Sequence, residues 1–256
     1  MREQPTHKRD AFSLVELLVV MGIIAILIAI LMPTLTRARA ASQSLVCQSN
    51  LHQIFQAALE EHTQIIEALK DQQRVLDQIA SEMVLAIRMG GKILWCGNGG
   101  SAADAQHLNG QLVVRFRLDR PGIPSIALST DTSILTAASN NYGYEHIFQR
   151  QVETLARKGD VVVAISTSGN SRNVFLALEA ARKIGAVTVA FTGKGGGKIA
   201  TAADFLFEVP SSDTPRIQEA HILAGHTLCE ILEKELATGQ GTATQNGAGF
   251  RNPLAT

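Results

Sequence analysis

KILWCGNGGSAADAQHLNGQ, residues Lys92 to Gln111, is the stretch that decides the fold. Lys92 to Cys96 reads as a short apolar strand. Gly97, Gly99 and Gly100 lack Cβ, so the backbone can turn sharply there and come close to a ligand. Ser101 is the expected N-cap of the helix that follows, which Ala102, Ala103 and Ala105 favour. A helix N-terminus behind a glycine loop offers free N–H groups and a partial positive charge to a phosphate. His107, Gln111 and Arg115 come next, four apart, and so are expected on one helix face. A plain tight turn between strand and helix has the same glycine pattern, so this loop alone does not prove a binding site. A second loop repeats the plan. In DVVVAISTSGNS, Asp160 to Ser171, a strand leads into Ser166, Thr167, Ser168 and Ser171, four hydroxyl groups around Gly169 and Asn170. Two such loops at the carboxyl ends of parallel strands lie where open α/β sheets bind ligands.

Working outward, five short apolar segments read as strands: Ile93–Cys96, Ser125–Leu128, Val161–Ile165, Val187–Phe191 and Phe205–Val209. Helical patterns separate them, which predicts an α/β fold with a five-stranded parallel sheet flanked by helices. Upstream, apolar residues at helical spacing from Phe55 to Ile87 predict two amphipathic helices broken near Asp71, with Gly90–Gly91 as the turn into the first strand. A last helix is expected from about Arg216 to Leu236. Residues 239–256 are rich in Gly, Thr, Ala and Asn and read as a disordered tail.

The first part of the chain is of another kind. Residues 1–11 form a polar leader with Arg2, Lys8 and Arg9. The run FSLVELLVVMGIIAILIAILM, residues 12–32, would make a helix of roughly 30 Å, enough to cross a bilayer core, with Glu16 its single charge. This beginning resembles the type IV pilin-like precursors: a short basic leader, then Phe-Ser-Leu-Val-Glu, then an apolar helix. Where that family's leader ends in Gly, Ala11 stands here. The resemblance implies cleavage before Phe12 and a role for Glu16 in subunit assembly; an ordinary signal anchor is the other reading. Basic residues on both sides, with Arg37 and Arg39 following the span, favour neither orientation strongly. Pro33 is expected to end or kink the helix, and residues 33–54 to serve as a linker to a domain over 55–238.

Composition excludes several classes. In 256 residues, Lys+Arg and Asp+Glu balance at 23 each, so no basic surface points to nucleic acid. Cys47, Cys96 and Cys229 are odd in number and have no CxxC spacing. Reduced, buried thiols are expected rather than disulfides or a cysteine zinc site.

The two loops, with RPGIPSIALSTDTSILTA, NNYGYEHIFQRQVE and RIQEAHILAGHTLCE, carry a second resemblance, covering about Phe55 to Leu236. This region resembles the sugar isomerase (SIS) domain, and within it the phosphoheptose isomerases. The resemblance implies a flavodoxin-like three-layer sandwich in a cytoplasmic homotetramer. It implies interconversion of sedoheptulose 7-phosphate and a glycero-manno-heptose 7-phosphate. It places the phosphate on Ser166, Thr167, Ser168 and Ser171, and the sugar near Asn98, Gly99, Gly100 and Ser101, with Asn140, Asn141 and Gln218 also on the substrate. It implies a zinc ion on His107, Gln218 and His226, with the last helix serving a neighbouring subunit's site.

Two expected carboxylates are amides. The family's glutamate, both base and metal ligand, aligns with Gln111, and its Asn-Asp pair with Asn140 and Asn141. An amide accepts no proton at neutral pH and is a weaker zinc ligand than a carboxylate. His226 or His107, if free of metal, is then the candidate base, while Glu219 and Glu145 are expected in the scaffold. His221 is expected to be structural, and His52 and His62 solvated. Arg115 is either a substrate contact or a surface residue, and GKGGGK, with Lys194 and Lys198, reads as a turn. Three functions stay open: an isomerase; a catalytically impaired module binding a sugar phosphate or a protein partner, of the type that associates with a replication initiator; and a pilus or secretion component carrying the domain as cargo.

Overall fold

The computed structural model describes residues 13–238; the leader, Phe12 and the 239–256 tail lie outside the described residues. The chain divides into two compact units, one up to Glu60 and one from Glu61 onward.

The first unit is helical. Helix α1 runs Leu14–Ala68 with Pro33 inside it, so the expected linker at 33–54 is helix, and Pro33 does not end it. A proline removes one backbone donor. Here the hydroxyls of Thr34 and Thr36 add bonds across it, donating to the carbonyls of Leu31 and Met32 at 2.7 Å each. By length and composition α1 can cross a bilayer. Its side chains from Leu14 to Met32 are exposed, and so is Cys47, which departs from the expected buried thiol because it lies on a helix stretch whose side chains are exposed among the described residues.

The second unit holds the sheet. A single 3-10 turn over Leu69–Gln72 makes the expected break near Asp71, and helix α2 follows over Gln73–Arg88. The strands are β1 (Ile93–Gly97), β2 (Ser125–Ala127), β3 (Val161–Ser166), β4 (Val187–Thr192) and β5 (Phe205–Glu208), each within one residue of its expected bounds. They pair in parallel in the order β2-β1-β3-β4-β5. The helices between them are α3 (Gly100–Val113), α4 (Thr132–Tyr142), α5 (Ile147–Leu155), α6 (Arg172–Ile184) and, after β5, α7 (Thr214–Thr238).

β1 and β3 are buried along their whole length, as befits parallel strands covered on both faces. Ile93, Trp95, Val161 and Val163 pack on one face with Ile79 and Met83 of α2, Leu108 and Leu112 of α3, and Leu228 and Leu232 of α7. Leu94, Cys96, Val162 and Ala164 pack on the other with Phe148 of α5 and Val174, Ala177 and Leu178 of α6. The result is the three-layer sandwich. With this strand order the connection reverses between β1 and β3, so the loops after these two strands open onto one crevice, the place where such sheets bind ligands.

Candidate functional site

The crevice is built from the loop after β1, the loop after β3, the start of α7 and the α4–α5 link. The β1 loop turns at Gly99, whose φ of +55° suits glycine alone. Gly99, not Ser101, caps α3, so the helix begins two residues earlier than Ser101 as N-cap would require; Ser101 is instead buried within it. A Cβ at Gly100 would lie 2.1 Å from Gln218 Nε2, so the absence of a side chain lets Gln218 of α7 rest on the loop.

Higher on the same helix pair, His107 and His226 meet, Nε2 to Nε2, at 2.8 Å, with their rings T-shaped at 5.0 Å between centroids. Gln111 Nε2 stands 3.2 Å from the same His107 nitrogen. The approach is made possible next door: a Cβ at Gly225 would come within 2.4 Å of Leu108, so only glycine lets α7 lie this close to α3. Both imidazoles come from one chain.

His226 sits against the Phe116 ring at 5.4 Å. Its pKa is lowered, first by burial and then by the positive charges of His107 and Arg117, which favours the neutral ring. The segment carrying Phe116 is fixed by Glu233 of α7. Its carboxylate accepts from the backbone N–H groups of Phe116, Arg117 and Leu118 at 2.7–3.1 Å and from Arg120 Nε at 3.0 Å. Arg115 lies in this segment, past the end of α3, and so does not share the His107 face.

The β3 loop forms as expected. Gly169 has φ of +63°, Ser166 Oγ and Ser171 Oγ are 3.0 Å apart, and Ser168 Oγ accepts from the Asn170 N–H at 3.2 Å. Thr167 anchors the loop by accepting from the Gly193 N–H at 3.0 Å. The loop leads straight into the N-terminus of α6, whose dipole favours a phosphate. Asn140 and Asn141 lie at the exposed end of α4, hydrogen-bonded to one another at 3.2 Å.

Three functional candidates escape a reading of the sequence. Asp104 lies one turn before His107 on α3; its Oδ2 is enclosed with no hydrogen-bond partner among the described residues. Burial raises its carboxyl to about 6, against the pull of His107. The i, i+3 spacing to His107 was the available signal. Asn173 and Tyr144 both bond Asn98, at 2.9 Å and 3.0 Å, and no spacing in the sequence links them. The scaffold residues behave as expected, with one qualification. Glu219 pairs with Arg216 and with His62, at 2.7 Å to the latter, so His62 is part-buried and bonded rather than solvated. Glu145 pairs with His146 at 3.1 Å, and His221 is fully buried against the Thr192 carbonyl.

Residues 59–193 match the SIS domain family. The phosphoheptose isomerase of Aneurinibacillus thermoaerophilus is 52% identical over 163 residues, 64% of this chain and 82% of the relative. That of Aliarcobacter butzleri is 50% identical over 184 residues, 72% of this chain and 97% of the relative.

The chain belongs to the phosphoheptose isomerase family.

Solved structures agree. The family member from Neisseria gonorrhoeae superimposes with a TM-score of 0.68 at 41% identity, covering 72% of this chain and 99% of that one. The member from Francisella tularensis gives 0.68 at 35% identity, covering 70% and 96%. Ahead of this family domain, residues 6–32 match the prokaryotic N-terminal methylation motif, which agrees with the pilin-like resemblance.

Proposed function

We propose that the chain is a phosphoheptose isomerase, interconverting sedoheptulose 7-phosphate and D-glycero-D-manno-heptose 7-phosphate in the crevice between the β1 and β3 loops. The observation that carries this reading is the convergence of His107, His226 and Gln111 at one end of a crevice whose other wall is a serine loop at a helix N-terminus. The serine loop and the start of α6 hold the phosphate. The Asn98–Ser101 loop and Gln218 hold the sugar chain. A proton then leaves the carbon beside the carbonyl, an enediol forms, and a proton returns to the former carbonyl carbon. With an amide at 111, an imidazole of the His107–His226 pair takes and returns the proton, its Nε2 giving up the 2.8 Å contact to do so.

A zinc ion is the other candidate here: His107 and His226 would hold it, with the amide oxygens of Gln111 and Gln218 as weaker ligands than a carboxylate. When bound, zinc would polarise the substrate carbonyl. It would occupy the nitrogens that the proton transfer uses, so the two roles are alternatives. The homotetramer and the cytoplasmic setting belong to the same reading, and the exposed Leu85, Met89, Val114 and Leu223 are apolar area that subunit packing would cover. The methylation motif and the apolar α1 support attachment to a membrane through residues 12–32.

Gln111 favours a second reading, in which the site binds a sugar phosphate without turning it over. Assay of the full chain on sedoheptulose 7-phosphate, beside Gln111→Glu, separates the two. Turnover by the unaltered chain supports the isomerase. Binding without turnover, with activity gained by Gln111→Glu, supports the binder. Absence of both binding and turnover in either protein overturns the assignment.

A further inference from the structure

Three side chains from three parts of the fold lock together at the floor of the crevice. Asn98 follows β1, Asn173 opens α6, and Tyr144 lies in the link between α4 and α5. Asn98 Nδ2 donates to Asn173 Oδ1 at 2.9 Å, and Asn173 Nδ2 donates back to Asn98 Oδ1 at 2.9 Å. The Tyr144 hydroxyl lies 3.0 Å from Asn98 Oδ1.

The direction of every bond follows from one backbone group. The Val174 N–H can only donate, and it reaches Asn173 Oδ1 at 3.0 Å. That fixes which end of the Asn173 amide is oxygen. The reciprocal pair then fixes Asn98, whose Oδ1 must accept. Tyr144 therefore commits its single proton to Asn98, and its phenolic oxygen is left as an acceptor only. Asn173 is 3% exposed and Tyr144 is 60% exposed, so the lock is buried at one end and open to the crevice at the other. The surface so made offers the Tyr144 oxygen as an acceptor, matched to a sugar hydroxyl that donates.

We propose that Tyr144 is a substrate-contacting specificity residue: its oxygen accepts a hydrogen bond from a hydroxyl on the carbon chain of the sugar phosphate. Asn173 is the positioning residue that sets the polarity of Asn98 and, through it, of Tyr144. The proposal rests on the isomerase reading of the crevice, in that it needs a sugar phosphate to bind there, but not on turnover.

The test is calorimetric titration of the full chain in mild detergent with sedoheptulose 7-phosphate and, separately, with inorganic phosphate. Tyr144→Phe keeps the ring and removes the oxygen. It is expected to weaken sugar phosphate roughly three- to tenfold, the usual worth of one hydrogen bond, and to leave inorganic phosphate unchanged. Asn173→Leu, close in volume and uncharged, removes both bonds to Asn98; it is expected to weaken the sugar phosphate as well, again without loss for phosphate. Equal sugar-phosphate affinity in Tyr144→Phe and the unaltered chain overturns the proposal, and so does a parallel loss for both ligands, which marks a merely structural role. If the unaltered chain binds inorganic phosphate but no sugar phosphate, the underlying reading fails with it.

Discussion

His107 and His226 are 119 residues apart in the chain and meet at 2.8 Å through their Nε2 atoms. In an isolated chain neither nitrogen could be assigned a partner; here each restricts the proton state of the other, since a bond between two imidazole nitrogens needs one to donate and one to accept. If His226 carries the proton in the reaction, His226→Ala should cost about a hundredfold or more in kcat. His107→Ala, which removes the orienting partner, should lower kcat by a smaller factor. In both variants KM for the sugar phosphate should stay within a few-fold, because the phosphate loop is untouched. Steady-state kinetics with the two parameters separated checks this.

Gln111 stands 3.2 Å from His107 Nε2, where the family resemblance implies a carboxylate. Gln111→Glu should restore an anionic ligand beside the two imidazoles. At equal added zinc, thermal melting should rise more for Gln111→Glu than for the unaltered chain, because binding to the folded form alone stabilises it in proportion to affinity. Identical shifts would show that 111 does not face the metal position.

His221 provides a stability test away from the crevice. Burial lowers its pKa to about 4 from an ordinary 6.5, with the Thr192 carbonyl bond partly opposing. A base whose folded pKa is depressed is neutral in the fold and takes up a proton on unfolding. Its contribution is therefore complete above pH 6.5 and is lost as pH falls from 6.5 towards 4, up to about 3 kcal/mol. His221→Gln should flatten the pH dependence of the denaturation midpoint in that window, whatever it does to stability at neutral pH.

Gly169 holds the phosphate loop in a shape no other residue can take. Its φ is +63°, and a Cβ there would fall 2.1 Å from the Gly196 carbonyl oxygen, which is backbone and cannot step aside. Gly169→Ala should destabilise the fold by about 2 kcal/mol or more and weaken inorganic phosphate binding. Chemical denaturation and calorimetry read the two effects. Gly100→Ala should be milder in stability, since its Cβ would meet only the end of the Gln218 side chain.

Much of this arrangement was legible before any coordinates. Buried parallel strands are continuous apolar runs, so all five strands stood out, and a turn rich in Gly and Ser after β1 and β3 marked the crevice. What was not legible has physical reasons. Ser101 reads as an N-cap by residue type, but the helix starts at Gly100 because glycine freedom at Gly99 completes the turn earlier. Pro33 reads as a break, yet one missing donor in a long helix is tolerated. Arg115 keeps the spacing of His107 and Gln111 but lies beyond Val113, where α3 ends and Glu233 captures the following backbone. The Asn98–Asn173–Tyr144 lock joins segments 46 and 75 residues apart, and no local pattern encodes such a contact.

The measurement that bears most directly on the isomerase assignment is incubation of the full chain with sedoheptulose 7-phosphate in deuterated water, following the aldose product and its isotope content. The account predicts aldose carrying deuterium from the solvent at the transferred position, a rate above the protein-free control, and loss of that rate in His226→Ala. Bound sugar phosphate with neither aldose nor exchange would contradict it, and would make the crevice a binding site alone.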